Sequence, residues 1–326
     1  MTDYSAHIPF LPTSVEQLLP LLDLAGRAEN LRLWLGQSLT IEPHQLFAYC
    51  AGRGLQAPVG TSVTLMALRH PYEAALQARS LAFVTGRPVV AGYGPGSTDF
   101  QLALAGDRYR SPLTAVTEYL GAVRGLLNGE TVRLDGEYVR LHATLPHLPH
   151  PPVDLGLGVL RPAMARLAGE IADVAITWLC PPAYLRDVLI PELRVAADKA
   201  GRPTPRVVSV VHAAERKPRR DPVDLALSVC GAHLQAPHYV DMLRRAGIHA
   251  APTDPLSGAR TLVDEGIFLS GSLPELATGL QAYHAAGADE VVVNLSAVGA
   301  TRGPAVATRE LEFLLTALGS MRRPQR

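Results

Sequence analysis

The turn Gly158-Val159-Leu160-Arg161-Pro162-Ala163 carries the most readable chemistry in this sequence. It joins a short apolar run, 153–158, to a helical pattern, so its backbone N–H groups face outward at a helix N-terminus, where phosphate is held. Arg161 stands beside them, and Pro162 suits the first helical turn, where no N–H is needed. A second apolar strand, entered through Ala172-Asp173 and ending at Thr177-Trp178, completes a βαβ unit. The alternative for Arg161 is an ordinary surface pairing with a helix residue such as Glu170.

Other candidate motifs fare less well. Gly92-x-Gly94-x-Gly96 offers glycines after a strand, but a dinucleotide fingerprint needs its third glycine later, opening a helix, and an acidic residue ending the next strand. A structural turn fits better. His147-x-x-His150 sits among prolines with no third ligand nearby, so no metal is expected. No Gly-x-Ser-x-Gly opens a hydrolase triad, and no Walker-type phosphate loop is present.

The elements that must position these residues follow from periodicity. Apolar strands are read at 31–35, 59–64 and 88–92 after an extended segment at 7–10, with helices at 15–27, 43–53 and 72–84 between them. His70 before Pro71 is expected to cap that last helix. Apolar rather than alternating strands indicate a parallel sheet covered by helices. The segment 93–110 is too long for an ordinary turn and reads as functional or partly helical. A helix opens at Ser111-Pro112. Asp135-Gly136 between two strand-like runs marks a hairpin excursion near 130–142. Beyond Trp178 come a strand at 206–213, a helix at 223–234, a second excursion near 236–270, a strand at 290–295 and a closing helix at 305–318. Eight strands so counted predict a single-domain (β/α)8 TIM barrel over 1–326, with insertions after strands 4 and 7 and its active site at the strand C-termini. Trp34, at the end of strand two, then either fills the barrel interior or walls a substrate pocket, and the hydroxyl of Tyr93 is a candidate proton donor.

Composition narrows the function classes. Thirty basic and thirty acidic residues leave no net field to attract nucleic acid or an anionic membrane, and the run Arg216-Lys217-Pro218-Arg219-Arg220 reads as a solvated loop. Cys50, Cys180 and Cys230 are odd in number and far apart, which argues against disulfides or a zinc cluster and fits a reducing cytoplasm. No apolar run approaches a membrane span, and the first ten residues lack the regions of a signal peptide.

The order and spacing of several short motifs resemble the bacterial luciferase-like superfamily, particularly its coenzyme F420-dependent oxidoreductases. They are Gly60-Thr61, Arg69-His70-Pro71, Gly86-Arg87, Gly92-Tyr93-Gly94, Tyr109 with Pro112, Glu118-Tyr119, Gly136-Glu137, Pro152-Val153, Met164 through Leu167-Ala168-Gly169-Glu170 to Ala172-Asp173, and Thr177-Trp178. The resemblance implies a deazaflavin or flavin ring at the barrel mouth. A bulge in strand three, often with a non-proline cis peptide, would back the ring at Gly60, Thr61 and Ser62, where small residues allow close backbone approach. Gly92, Tyr93 and Gly94 would lie along it, and Gly158, Val159, Leu160, Arg161, Pro162 and Ala163 with Thr177 and Trp178 would take the phosphate side chain. Homodimers are common in the family.

Two departures bear on the reaction. Many F420-dependent members that oxidise alcohols or sugar phosphates place a histidine at the end of strand two and a glutamate after strand four. Here those places read Trp34-Leu35-Gly36-Gln37-Ser38 and Tyr93-Gly94-Pro95-Gly96. The expectation is therefore reduction by F420H2 of an electron-poor C=C or C=N bond, with Trp34, Gln37 and Tyr93 around the reacting carbon and a tyrosine, threonine or water giving the proton. The substrate would be a small molecule, or by family analogy a natural product or a dehydroamino acid in a modified peptide. The alternatives are an FMN-dependent monooxygenase of the same superfamily and a non-catalytic barrel that has lost its base.

Overall fold

The computed structural model describes residues 3–28 and 31–319. They hold helices and twelve strands: β1 (Asp3–His7), β2 (Leu33–Leu35), β3 (Val59–Thr61), β4 (Thr64–Leu65), β5 (Val89–Gly94), β6 (Val132–Asp135), β7 (Arg140–Ala143), β8 (Val153–Gly158), β9 (Val174–Trp178), β10 (Arg206–Glu215), β11 (Leu269–Gly271) and β12 (Glu290–Asn294). Eight of these, β1, β2, β3, β5, β8, β9, β10 and β12, neighbour one another in chain order, and β9 also pairs with β10. The architecture is the expected (β/α)8 barrel.

The helices start where proline and a side-chain acceptor coincide. Pro43, Pro71, Pro112 and Pro222 open helices whose first free N–H groups are taken by Glu42, His70, Ser111 and Asp221. His70 therefore acts as the expected cap, accepting from the N–H of Tyr72. The long segment after β5 holds a helix, Thr98–Ala105, capped by Ser97.

Strand three departs from the continuous run expected over 59–64. It breaks after Thr61, the Ser62–Val63 peptide is cis, and β4 resumes beside β5. Side chains replace the missing ladder bonds. The Thr61 hydroxyl donates to the Gly92 carbonyl at 3.0 Å and accepts from its N–H at 2.8 Å, and the Thr64 hydroxyl donates to the same carbonyl.

The hairpin excursion is present, with β6 and β7 antiparallel and Leu134 opposite Leu141. The second excursion holds the helices Pro237–Arg245 and Pro255–Asp264 and then β11, which extends the sheet beside the overlong end of β10. β11 is only three residues, Leu-Ser-Gly, too short to leave a periodic signal.

Internal contacts divide the chain into two compact units. The first comprises Met1–Trp34, Thr177–Pro191 and Arg206–Arg326. Within it the basic run at 216–220 is not all solvated. Glu310, 5% exposed, is held by Arg220 at 2.8 Å and by Lys217 at 2.8 Å, because a buried carboxylate requires a paired cation. The second unit comprises Leu35–Ile176 and Glu192–Pro205. There Asp173 receives Arg124 at 2.9 Å, Arg202 at 3.1 Å and the N–H of Leu155 at 2.8 Å, which fixes how β9 enters beside β8.

The three cysteines are buried and free. Among the described residues no helix is long and apolar enough to cross a membrane, and no cluster of His, Cys, Asp and Glu could hold a metal ion.

Candidate active site

In the second unit, β3, β5 and β8 bring their C-terminal ends around one side chain, Val63. A Cβ added at Gly94 would lie 2.9 Å from it, and one at Gly158 3.6 Å from it. A Cβ at Gly36, just after β2, would meet the Ser62 carbonyl at 3.1 Å. Two glycines, Gly94 and Gly158, thus leave bare backbone against the Val63 side chain, and a third, Gly36, leaves it against the Ser62–Val63 backbone, a surface suited to a flat ring. Gly92 has a different task, since its Cβ would fall 2.0 Å from the Thr61 carbonyl oxygen. It permits the close approach of two strands.

Two polar atoms in this region have no partner. The Ser62 hydroxyl is buried without a hydrogen bond, and so is Nη1 of Arg69, whose side chain is only 6% exposed. The rest of that guanidinium is placed by Gln37 at 3.3 Å and Glu42 at 3.4 Å. Buried donors are ordinarily satisfied, so both await an acceptor. Burial pushes the Glu42 carboxyl upward, but the His44 ring, the Gln45 N–H and Arg69 outweigh it and hold it below the usual carboxylate range.

The residues expected around the reacting carbon are placed as follows. Trp34 is fully buried, and its indole N–H donates to Glu290 at 2.7 Å. Glu290 begins β12, at the N-terminal end of the barrel, so this side chain fills the interior away from the strand C-termini. Tyr93 is fully buried and donates to the Ala74 carbonyl at 3.2 Å. Its hydroxyl, pushed well above the usual phenol range by burial, is committed to packing. Gln37 donates to the Ser38 carbonyl at 2.8 Å and positions Arg69.

The turn 158–163 follows β8 directly and ends on the helix Pro162–Ile171, whose N-cap is Arg161 with no side-chain capping bond. Val159 donates to the Ile176 carbonyl at 2.8 Å, which ties the turn to β9. Arg161 is exposed and Pro162 and Ala163 half-buried, so the helix N-terminus is open.

In the first unit, sequence reasoning missed a polar cluster. His7 ends β1, Asn294 ends β12, and His212 on β10 lies in register with Asn294. Trp178, at the end of β9, stands edge-on to His212 at 5.0 Å and to His7 at 5.6 Å, and stacks on His233 at 5.6 Å. Burial lowers the His7 ring to about 4 against its bond to the Ile8 carbonyl. It lowers His212 well below the usual range, helped by His233 and His7. All are neutral at pH 7. Thr177 is occupied by Ser209 at 2.7 Å. The available signal was a polar residue directly after a run of valines, as in Val-Val-His and Val-Val-Val-Asn. Strand two ends without a histidine, as read from the sequence, while strands one and seven carry imidazoles of their own, His7 and His212.

Comparison with known proteins agrees with this architecture. A family model described as luciferase-like monooxygenase matches residues 6–290. Over 219 residues, 67% of this chain and 66% of the relative, the sequence is 28% identical to a 5,10-methylenetetrahydromethanopterin reductase of Methanolobus tindarius. Over 149 residues, 44% of each, it is 35% identical to an F420-dependent glucose-6-phosphate dehydrogenase of Nakamurella multipartita. The chain thus spans just under two thirds of the first curated relative and under half of the second. A solved F420-dependent secondary alcohol dehydrogenase, in complex with an F420-acetone adduct, shares the fold with a TM-score of 0.76 at 16% identity, over 97% of this chain and 99% of that one. The bulge after β3, the βαβ unit from β8 to β9 and a family match over most of the barrel give one conclusion: the chain belongs to the luciferase-like monooxygenase family.

Proposed function

We propose that this protein is an F420H2-dependent reductase that delivers hydride to an electron-poor C=C or C=N bond. The observation that carries the reading is the cradle around Val63, with the buried and unpartnered hydroxyl of the adjacent Ser62 and the equally unpartnered Nη1 of Arg69, which is linked to it through Gln37, whose N–H donates to the Val63 carbonyl. A deazaflavin fits these residues. Its ring is flat and apolar on its face, as Gly36, Gly94, Gly158 and Val63 require, and its carbonyl-bearing edge supplies acceptors for both orphaned donors. When bound, F420H2 supplies a hydride from ring C5. The names of the F420-dependent relatives support the same choice.

The chain's own residues bind and orient. Arg69, fixed by Gln37 and Glu42, presents a preset positive charge to the ring edge. The turn 158–163 anchors the phosphate of the side chain with its N–H groups, Arg161 nearby. The direction of reaction is read from the ends of strands two and four. Alcohol oxidation needs a base for the hydroxyl proton, yet Gly36-Gln37-Ser38 after β2 and Pro95-Gly96 after β5 supply neither imidazole nor carboxylate. Reduction needs only a proton source, and water suffices. By analogy with such reductases, the substrate belongs to natural-product or modified-peptide biosynthesis.

Titration of the purified protein with F420 and with FMN, followed by cofactor fluorescence, tests the assignment. Saturable F420 binding with a weaker FMN response is expected. Tight FMN binding with no F420 response would replace this reading with a flavin monooxygenase.

A further inference from the structure

We infer that His212, Asn294 and Trp178 form a recess that receives the carbonyl oxygen of an α,β-unsaturated carbonyl compound, the substrate class in which the bond to be reduced is conjugated to that carbonyl. The inference rests on the reductase reading above.

His212 and Asn294 are each only 1% exposed. Neither ring nitrogen of His212 has a hydrogen-bond partner, nor has Nδ2 of Asn294, nor Nε1 of Trp178. Leaving one buried donor unpaired is costly, and four unpaired nitrogens on three neighbouring residues call for a ligand atom. The groups are held in place rather than adrift. His212 and Asn294 are paired in the sheet, and Trp178 packs edge-on to His212 at 5.0 Å. The Asn294 side-chain oxygen accepts from the Ser296 N–H at 2.9 Å, so its amide group is turned outward as a donor.

The donor set selects the ligand. A neutral imidazole gives one donor and one lone pair, so the recess offers three donor groups against one acceptor. The rings packed against these side chains are His7, His233 and Phe268, and Asn294 bonds the Ser296 N–H. None is charged at neutral pH, which disfavours a phosphate or carboxylate, since such groups need a cation when buried. An alcohol would leave donors unused. A carbonyl oxygen, neutral and with two lone pairs, matches.

The recess then bears on which bond can be reduced. An electron-poor C=C conjugated to the bound carbonyl takes a hydride, from the reductant of the reading above, at its β-carbon and a proton, from water, at Cα. In between, the C=C pair has moved to Cα=C and the carbonyl pair onto oxygen as an enolate, a charge that the donors of His212 and Asn294 would stabilise.

The test uses cofactor-free protein and cyclohex-2-enone labelled with carbon-13 at the carbonyl. Infrared difference spectra are expected to show the bound C=O stretch at lower frequency in the wild type. The shift should be lost in a His212→Leu, Asn294→Leu double variant whose thermal transition shows it folded. An unshifted band in the wild type, or a shift that survives in the double variant, would overturn the inference. Should the double variant not fold, the wild type still decides. The Trp178 indole N–H proton should move downfield on adding enone while that of Trp34, tied to Glu290, stays; an unmoved Trp178 signal would overturn the inference. F420 titration of the same preparations reads the cofactor assignment separately.

Discussion

Trp34 donates its indole N–H to the Glu290 carboxylate at 2.7 Å, linking a residue near the C-terminal end of β2 to the first residue of β12. Arg32 and Arg206 stand 3.7 and 3.6 Å from the same carboxylate, so the tryptophan belongs to a buried charge network. Trp34→Phe should cost about 2–3 kcal/mol, because it leaves an oxygen of a buried carboxylate without its donor. Urea unfolding measures the loss. F420 affinity should be unchanged, which separates this packing role from the pocket wall considered on sequence grounds.

Gly92 and Gly158 should respond in opposite ways to alanine. At Gly92 the new methyl would overlap the Thr61 carbonyl, so Gly92→Ala should destabilise the fold by about 1–3 kcal/mol or more. At Gly158 the nearest atoms are 3.6 Å away, an ordinary contact, so stability should stay within about 0.5 kcal/mol. Gly158→Ala should instead weaken F420 binding by occupying the cradle. Paired melting and fluorescence titrations check both.

Ser62→Ala should leave stability unchanged or raise it by up to about 1 kcal/mol, since it removes an unsatisfied buried hydroxyl. It should lower F420 affinity roughly fivefold, the value of one hydrogen bond of about 1 kcal/mol. An unaltered dissociation constant would place the ring elsewhere.

Stability should fall on mild acidification. Burial holds the rings of His7 and His233 at about 4, against about 6.5 in the unfolded chain. Between those values the unfolded state binds more protons than the folded one. Stability is therefore full above about pH 6.5 and is lost as the pH drops toward 4, by about 3 kcal/mol for each ring. His212 adds in the same direction. Denaturation midpoints at pH 7 and pH 5 measure the slope, and His7→Asn should flatten it.

The barrel was legible in the sequence because its strands are apolar on both faces and its helices open on proline with a capping residue, as at Ser111-Pro112 and Asp221-Pro222. The break at Ser62-Val63 was less so. Its ladder bonds come from threonine side chains to Gly92, a long-range arrangement that local periodicity does not record. Trp34 and Tyr93 were read as site residues from their places near strand ends, yet large side chains reach far from their own backbone, Trp34 toward Glu290 and Tyr93 to Ala74. His212 and Asn294 went unread for the converse reason. Each sits inside or at the close of a run of valines that signals only a buried strand.

The small strand β11 bears on how this protein could diversify. By pairing with Ala213, Ala214 and Glu215 it continues the sheet past His212, so the imidazole emerges from the middle of a strand and not from a loop. Loops after barrel strands exchange readily, whereas a residue clamped in a ladder does not shift without remaking the register. A lineage built on this scaffold could therefore trade the size and shape of what it accepts, by rewriting its excursions, while the proposed demand for a carbonyl at His212 stayed fixed.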